Sequence, residues 1–188
     1  LEERHNFLAS QVQDLTTSKD QLEQLIAKLN KQSREKFVET FEQIRVNFQQ
    51  IFRKLFGGGK ADIVLEESDD VLEAGIEVIA KPPGKETRSI SLLSGGEKSM
   101  TAMALLFAVF RTKPSPFCFL DEVDAALDEA NVGRFTSIVQ DFLVHSQFII
   151  VTHSKRTMAV ANVIYGITMQ ESGVSKRILV IDDEPGIR

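Results

Sequence analysis

Ser94-Gly95-Gly96-Glu97-Lys98 and the later Phe117-Cys118-Phe119-Leu120-Asp121-Glu122 are the two stretches that decide the fold of this chain. The later stretch predicts a short buried strand with two carboxylates where the strand emerges. One carboxylate there can hold Mg²⁺, and its neighbour can polarise an attacking water molecule. The earlier stretch predicts a nest of backbone N–H groups at the start of a helix, which suits a phosphate. Together the two stretches indicate half of an ATP site.

The other half of such a site is missing from the sequence. The loop G-x-x-x-x-G-K-[ST], which wraps the β- and γ-phosphates of a nucleotide, does not occur. The one partial match is Gly57-Gly58-Gly59-Lys60, but Ala61 follows its lysine and the residues before it are patterned as a helix. We therefore interpret the three glycines as the C-terminal cap of a long helix. The chain is expected to carry the metal and signature parts of a nucleotide site without the phosphate cradle.

Bulk composition is that of an ordinary globular protein, with 43% hydrophobic and 26% charged residues. The net charge of −5 argues against a chain that is basic overall, so any DNA contact must come from a local patch or from another segment. The single Cys118 excludes an internal disulfide. No apolar run approaches the ~20 residues that span a bilayer, and no signal-peptide pattern opens the chain. We expect a cytoplasmic protein without a membrane partner.

The beginning of the chain predicts a coiled coil. Leucine recurs there at every seventh position, at Leu1, Leu8, Leu15, Leu22 and Leu29. Such a seam needs a partner helix. A phenylalanine-rich stripe follows from Phe37 to Leu55, and neither Gly nor Pro occurs before Gly57. These features predict one long helix that leaves the coil and packs onto a globular domain.

The rest of the sequence alternates between strand and helix patterns. In chain order we predict strands at 61–65 and 75–80, a helix from Glu97 to about Phe110, a strand at 117–120, a helix at 128–143, a strand at 147–151, a helix from about Ser154, and strands at 163–168 and 177–181. Buried strands without polar alternation, separated by helices, predict an α/β fold with a largely parallel sheet flanked by helices.

Three motifs carry a resemblance to a known family. LSGGEK at 93–98, FCFLDEVDAALDEAN at 117–131 and QFIIVTHSKRTM at 147–158 resemble the C-terminal half of an ATPase head from the structural maintenance of chromosomes (SMC) family. PPGK at 82–85 also fits, and bacterial condensin-type members are the most similar. The resemblance implies the C-terminal lobe of a P-loop NTPase-like (ABC-type) head at 37–176. A coiled-coil segment would precede it at 1–36, and a closing strand with an acidic tail would follow at 177–188.

The resemblance also implies roles for the residues at the strand ends. Asp121 corresponds to the carboxylate on the Mg²⁺ side, acting largely through a metal-bound water. Glu122 corresponds to the general base for ATP hydrolysis. His153, which follows the second apolar strand, corresponds to the switch histidine that reaches the γ-phosphate or the attacking water.

A second set of residues belongs to the signature and to the loop after the carboxylates. The resemblance implies that Ser94, Gly95, Gly96 and Glu97 bind the ATP held by another head, and that Asp128 crosses the same interface. Asp128 is equally suited to cap the helix that begins there, and the two roles are compatible.

The resemblance also implies a set of partners. They are the N-terminal half of the same head, a second SMC subunit, DNA, and a kleisin-type subunit whose winged-helix domain we expect on the late strands. ATP would join two heads and hydrolysis would part them, which couples the cycle to DNA entrapment, chromosome condensation and segregation. The isolated chain is expected to be inactive as an ATPase.

Three alternatives stay open at the level of sequence. A related double-strand-break repair ATPase shares the signature, the carboxylate pair and the coil, although VDAALDEAN and PPGK favour the first interpretation. A transporter's nucleotide-binding domain is disfavoured by the heptads. A docking platform without activity is also compatible with half a site. Finally, Arg177 to Pro185 resembles the opening strand and acidic pair of a response-regulator receiver, but the receiver's phosphoacceptor strand is absent.

Overall fold

The computed structural model describes residues 2–181, in which a long helix precedes alternating strands and shorter helices. In chain order the elements are α1 (Glu2–Phe56), β1 (Lys60–Leu65), β2 (Ile76–Lys81), β3 (Arg88–Ser89), a 3₁₀ turn (Ile90–Leu92), α2 (Gly95–Thr112), β4 (Phe117–Asp121), α3 (Glu129–Phe142), β5 (Gln147–Val151), α4 (Lys155–Met158), β6 (Val163–Glu171) and β7 (Val174–Ile181). The acidic tail predicted beyond Ile181 lies outside the described residues. No helix within 2–181 is both long and apolar enough to cross a membrane.

The chain divides into two compact units, Leu1–Gln43 with Leu65–Gly75 and Ile44–Val64 with Ile76–Arg188. The first unit carries the heptad leucines. Those at 8, 15, 22 and 29 are each at least 51% exposed, so nothing within 2–181 covers the seam. The uninterrupted helix is confirmed, while its pairing with a second helix stays a prediction.

The core of the second unit forms around the last turns of α1. Phe48, Phe52 and Leu55 are fully buried there, which confirms that the phenylalanine stripe is core. From α2, Phe107 is also fully buried, and its ring centroid lies 6.1 Å from that of Phe135 in α3. Burial of one such side chain contributes about 1.5–3 kcal/mol. These contacts fix α1, α2 and α3 as the support on which the loops of the site rest.

The glycine triplet ends α1 in the manner predicted for a helix cap. Gly57 has φ of 68° and the Gly58 N–H donates to the Arg53 carbonyl at 2.9 Å, which is a Schellman cap. Gly59 has φ of 79°, and a Cβ atom at this position would lie 2.4 Å from the Lys81 carbonyl oxygen. The triplet therefore turns the chain into β1 and lets it pass close to β2.

The predicted largely parallel sheet is wrong for the described residues, whose strands form three small sheets. The β4–β5 pair is parallel, while β2–β3 and β6–β7 are antiparallel. The connections explain the difference. Helix α3 joins β4 to β5, and such a crossover returns the chain in the same direction. A tight turn at Gly173, with φ of 83°, joins β6 to β7 and can only reverse the chain.

The expectation that β4 and β5 are buried on both faces is also wrong for this chain. Leu120 is 3% exposed, but Phe117 and Phe119 on the opposite face are 57% and 66% exposed. Phe148 of β5 lies against α2, with its ring centroid 5.5 Å from that of Phe110, so the helices cover one face only. Cys118 is half-buried rather than buried, and burial raises the pKa of its thiol. The helix predicted from Ser154 is a single turn.

Candidate functional site

The two predicted acidic residues lie at the carboxyl end of β4. Asp121 is the last residue of the strand and Glu122 follows it, and both are exposed. Glu122 has φ of 46° and is the one non-glycine residue with positive φ in the described part of the chain. This conformation costs an L-residue about 1–2 kcal/mol. The Glu122 N–H donates to the Val151 carbonyl at 2.9 Å, and its carbonyl accepts from the Ala125 N–H at 3.1 Å, so the turn is held on both sides.

Both carboxylates are available to a ligand. Among residues 2–181, neither Asp121 nor Glu122 forms an ion pair or a hydrogen bond through its side chain. The same residues contain no cluster of three or more His, Cys, Asp or Glu able to bind a metal alone. Mg²⁺ at a nucleotide takes only one or two protein carboxylates and receives its other oxygens from phosphates and water. An exposed, unpaired pair at a strand end fits that requirement.

His153 lies at the same end of the sheet. β4 and β5 run parallel with Asp121 opposite Val151, so the residues that follow the two strands leave the sheet at one edge. His153 is exposed, as are the two carboxylates. We call Asp121, Glu122 and His153 the strand-end group.

A buried carboxylate that sequence reasoning missed connects the two loops of this group. Asp124 is 3% exposed, and its Oδ2 accepts from the Thr152 hydroxyl at 2.6 Å and from the Thr157 hydroxyl. The Thr152 hydroxyl oxygen also accepts from the Ser154 N–H at 2.9 Å. The threonines on either side of His153 were the only signal in the sequence, and they do not reveal which of the neighbouring acidic residues turns inward.

The signature residues begin α2, with Ser94 as the N-cap. The Ser94 N–H and hydroxyl donate to Glu97 Oε2 at 3.1 and 2.8 Å. Lys85 Nζ lies 2.8 Å from Glu97 Oε1. The Lys85 ammonium, and then the Ser94 hydroxyl, lower the pKa of Glu97 to about 2, so its carboxyl is ionised at neutral pH. A Cβ atom added at Gly95 would meet open space, whereas one at Gly96 would lie 3.4 Å from the Ala126 carbonyl oxygen.

A cavity of about 370 Å³ opens beside the start of α2. Its polar lining consists of Ser94, Glu97, Asp128, Asn131 and Arg134, together with the backbone of Gly96. Asp128 accepts from the Asn131 N–H at 2.8 Å, which confirms that it caps α3. Asp121, Glu122 and His153 are not part of this lining. The predicted residues therefore fall into two places, the strand-end group and a signature group that consists of Ser94, Gly95, Gly96, Glu97 and Asp128.

Comparison with known protein families shows the family to which this sequence is similar. The model of the RecF/RecN/SMC N-terminal domain matches residues 3–176. The chain belongs to the RecF/RecN/SMC family. The SMC resemblance inferred from the motifs is thus confirmed at the level of the family. Because the matched model describes an N-terminal domain, the assignment to the C-terminal half of an SMC head rests on the motifs alone.

Individual SMC proteins are similar over nearly the whole chain. The chromosome partition protein Smc of Rhodopirellula baltica is 58% identical over 180 residues, which are 96% of this chain and 15% of that protein. A chain from a structural study of ATP-driven dimerization and DNA-stimulated activation of SMC ATPases is 41% identical, with a TM-score of 0.71 over 78% of this chain and 89% of that one. The Pyrococcus furiosus Smc head domain, solved with an extended coiled coil and bound to the C-terminal domain of ScpA, is 40% identical with a TM-score of 0.78. That match covers 96% of this chain and 45% of the other.

Proposed function

We propose that this chain is the C-terminal half of the ATPase head of an SMC protein that acts in chromosome condensation and segregation. The observation that carries the proposal is the division of the site. Ser94, Gly96, Glu97 and Asp128 of the signature group line one cavity, and the strand-end group is not part of that lining. Two separate groups are what a head requires if it serves one nucleotide with its strand ends and another head's nucleotide with its signature. The chromosome partition role named for the relative that is 58% identical supports the biological role. The proposed location is the nucleoid in the cytoplasm.

In this proposal the strand-end group performs the chemistry on ATP held by the N-terminal half of the same head. Asp121 holds Mg²⁺, which neutralises charge on the phosphates when bound. Glu122 is the general base, and its unpaired carboxylate can accept the proton of the attacking water. His153 orients that water or contacts the γ-phosphate.

The signature group joins the heads. The N–H groups of Gly95 and Gly96 at the start of α2, with the Ser94 hydroxyl, would bind the phosphate presented by a second SMC head. Asp128 lines the same cavity and would contact the second head across the interface. The Lys85 ion pair compensates the charge of Glu97, which would otherwise repel a triphosphate at this place. ATP would thus hold two heads together until it is hydrolysed.

Uncovered apolar surfaces support the proposed partners. The outer face of β4 and β5 exposes Phe117, Phe119, Ile149 and Val151, a surface that the N-terminal half would cover. The exposed heptad leucines of α1 would be buried by a second helix in a coiled coil. By analogy with the head bound to a ScpA domain, a kleisin-type subunit is the proposed partner of the late strands β6 and β7. DNA would be held by the assembled complex.

The decisive experiment mixes this chain with an N-terminal half that contains a phosphate-binding loop and measures ATP turnover. We expect turnover by the mixture and none by the chain alone, because half a site offers ATP few ligands. In the mixture, Glu122→Gln should bind ATP, fail to hydrolyse it and sediment as a head dimer. Ser94→Arg should bind ATP and stay monomeric, since its bulk occupies the place of the second head's phosphate.

Two results would contradict the proposal. Turnover by the chain alone that disappears in Glu122→Gln would mean that the site is complete without the N-terminal half. Loss of ATP binding in Ser94→Arg would mean that the signature serves the nucleotide of its own head.

A further inference from the structure

We infer that Asp124 is a positioning residue that fixes the general base and the switch histidine relative to each other. It does so by bridging the loops that follow β4 and β5, through Thr152 and Thr157. The inference rests on the proposed function of the strand-end group and adds to it a residue that acts through the side chains and loops it holds.

Stability alone does not account for a carboxylate at this position. Asp124 is 3% exposed, and within the described chain no cation pairs with it. Its Oδ1 is buried without a hydrogen-bond partner among residues 2–181, and an unsatisfied buried acceptor costs about 1–3 kcal/mol. A well-packed apolar residue would avoid that cost. What the carboxylate provides is one oxygen that accepts from two hydroxyls on a neighbouring segment.

On the side of β5, these hydrogen bonds enclose His153. The Thr152 hydroxyl donates to Asp124 and accepts from the Ser154 N–H, so the residues before and after the histidine are tied to one point. Thr157, which is also 3% exposed, ties the single turn of α4 to the same oxygen. A one-turn helix has little stability of its own, so this loop depends on the bridge.

On the side of β4, the bridge holds the strained turn. Asp124 lies two residues after Glu122, and the Ala125 N–H closes the turn on the Glu122 carbonyl at 3.1 Å. The φ of 46° at Glu122 is unfavourable for this residue and persists only while its surroundings hold it. If Asp124 were released, Glu122 could relax toward negative φ, and its carboxylate would change position.

The test replaces the hydroxyl of Thr152 in the mixture of this chain with its N-terminal half. Thr152→Val keeps the shape and removes the hydroxyl, which donates to Asp124 and accepts from the Ser154 N–H, whereas Thr152→Ser keeps that hydroxyl. We expect Val to lower kcat for ATP hydrolysis roughly ten- to hundredfold, the loss typical of a reacting group displaced by about 1 Å. KM for ATP and ATP-dependent head pairing should not change. Ser should keep kcat within about threefold of the unsubstituted mixture, by the same reasoning.

Two matched variants separate positioning from packing. Thr136→Val removes another buried threonine hydroxyl, one that donates only to the Gly133 carbonyl within α3, and should leave kcat unchanged. Asp124→Asn should behave like Thr152→Ser, because its carbonyl oxygen can accept from both threonines. Hydrogen exchange at the Glu122 amide, whose acceptor is the Val151 carbonyl and not Thr152, gives a readout independent of activity. Protection should fall in Thr152→Val and persist in Thr152→Ser.

The outcomes are distinguishable from failure of the proposed function. If the unsubstituted mixture does not hydrolyse ATP, the proposed function fails, and hydrogen exchange in the same mixture still decides whether Asp124 holds the two loops. If the mixture is active and Thr152→Val matches Thr152→Ser in kcat and protection, the inference is overturned. The inference is equally overturned if Thr152→Val raises KM and weakens head pairing as much as it lowers kcat. That pattern would indicate that the substitution disrupts the fold as a whole.

Discussion

The signature group and the strand-end group are held in place by different means. In the signature group an exposed helix start is held by side chains, with Glu97 accepting from Ser94 and paired with Lys85. The backbone of Ser94 is extended and unstrained, with φ of −66°. In the strand-end group the side chains that would act have no partner within the described part of the chain, and the order comes from the backbone of Glu122 and from the buried Asp124.

The difference follows from what each group is proposed to do. A group that binds phosphate through N–H donors works best when those donors are already fixed by a helix cap. A general base must keep its carboxylate free, so its position has to be set by its own backbone and by neighbours that do not react. The signature group should therefore respond to charge and pH, and the strand-end group to the loss of buried hydrogen bonds and to backbone substitutions.

The largest effect on stability should come from a substitution of the buried Asp124, which holds the strand-end group. Asp124→Ala leaves the hydroxyls of Thr152 and Thr157 without their acceptor, and we expect it to lower the free energy of unfolding by about 1–3 kcal/mol. Glu97→Ala removes an ion pair whose lysine is 55% exposed and should cost less. Urea denaturation of the two variants measures both. Equal losses would mean that the two groups are held with similar strength.

A smaller effect should come from the strained turn. Glu122→Gly relieves the positive φ, whereas Glu122→Gln removes the same charge and keeps the strain. We expect the Gly variant to be more stable than the Gln variant by about 1 kcal/mol, since the relief exceeds the entropic cost of glycine. Thermal unfolding of the pair provides the measurement. A Gly variant less stable than the Gln variant would contradict the idea that strain is stored at this position.

The same contrast explains which parts of the molecule were predictable. The helices α1 to α3 follow from runs with a helical period, and the strands β4 and β5 follow from short apolar runs. The antiparallel pairing of β6 with β7 does not follow from such runs, because the sequence pattern of a strand does not specify its direction. The turn at Gly173 sets the direction of β7. The exposure of Phe119 could not be predicted either. An apolar strand has the same sequence pattern whether the residues that bury it belong to this chain or to another.

At the site, the residues proposed to react were easier to find than the residues that support them. Asp121, Glu122 and His153 each follow an apolar strand directly, and the parallel register of β4 and β5 brings them to one edge. Asp124 is turned inward by the loop after β4, and nothing in its sequence position distinguishes it from Asp128, which faces outward. The Lys85–Glu97 pair depends on how the chain folds back between β2 and α2, which spacing along the sequence does not specify.

The smallest effect should be the pH response of the signature group, through Glu97. Its pKa of about 2 in the folded chain lies below the ordinary value of 4.5, so the folded state binds the proton less readily than the unfolded state. The contribution of this carboxylate is therefore complete above pH 4.5 and is lost as the pH falls from 4.5 toward 2. Glu97→Gln still accepts from Ser94 through its amide oxygen and does not titrate. We expect the stability advantage of the unsubstituted chain over this variant, about 0.2–1 kcal/mol for an exposed pair at neutral pH, to shrink across that window. Thermal unfolding of both proteins at several pH values measures this difference in stability, in which the contributions of the other titrating groups cancel.

Lys85→Ala should abolish most of the pH dependence of that difference, because the ammonium is the main cause of the lowered pKa. A difference that stays constant through the window would contradict the ion pair, and the signature group would then be ordered by its helix cap alone.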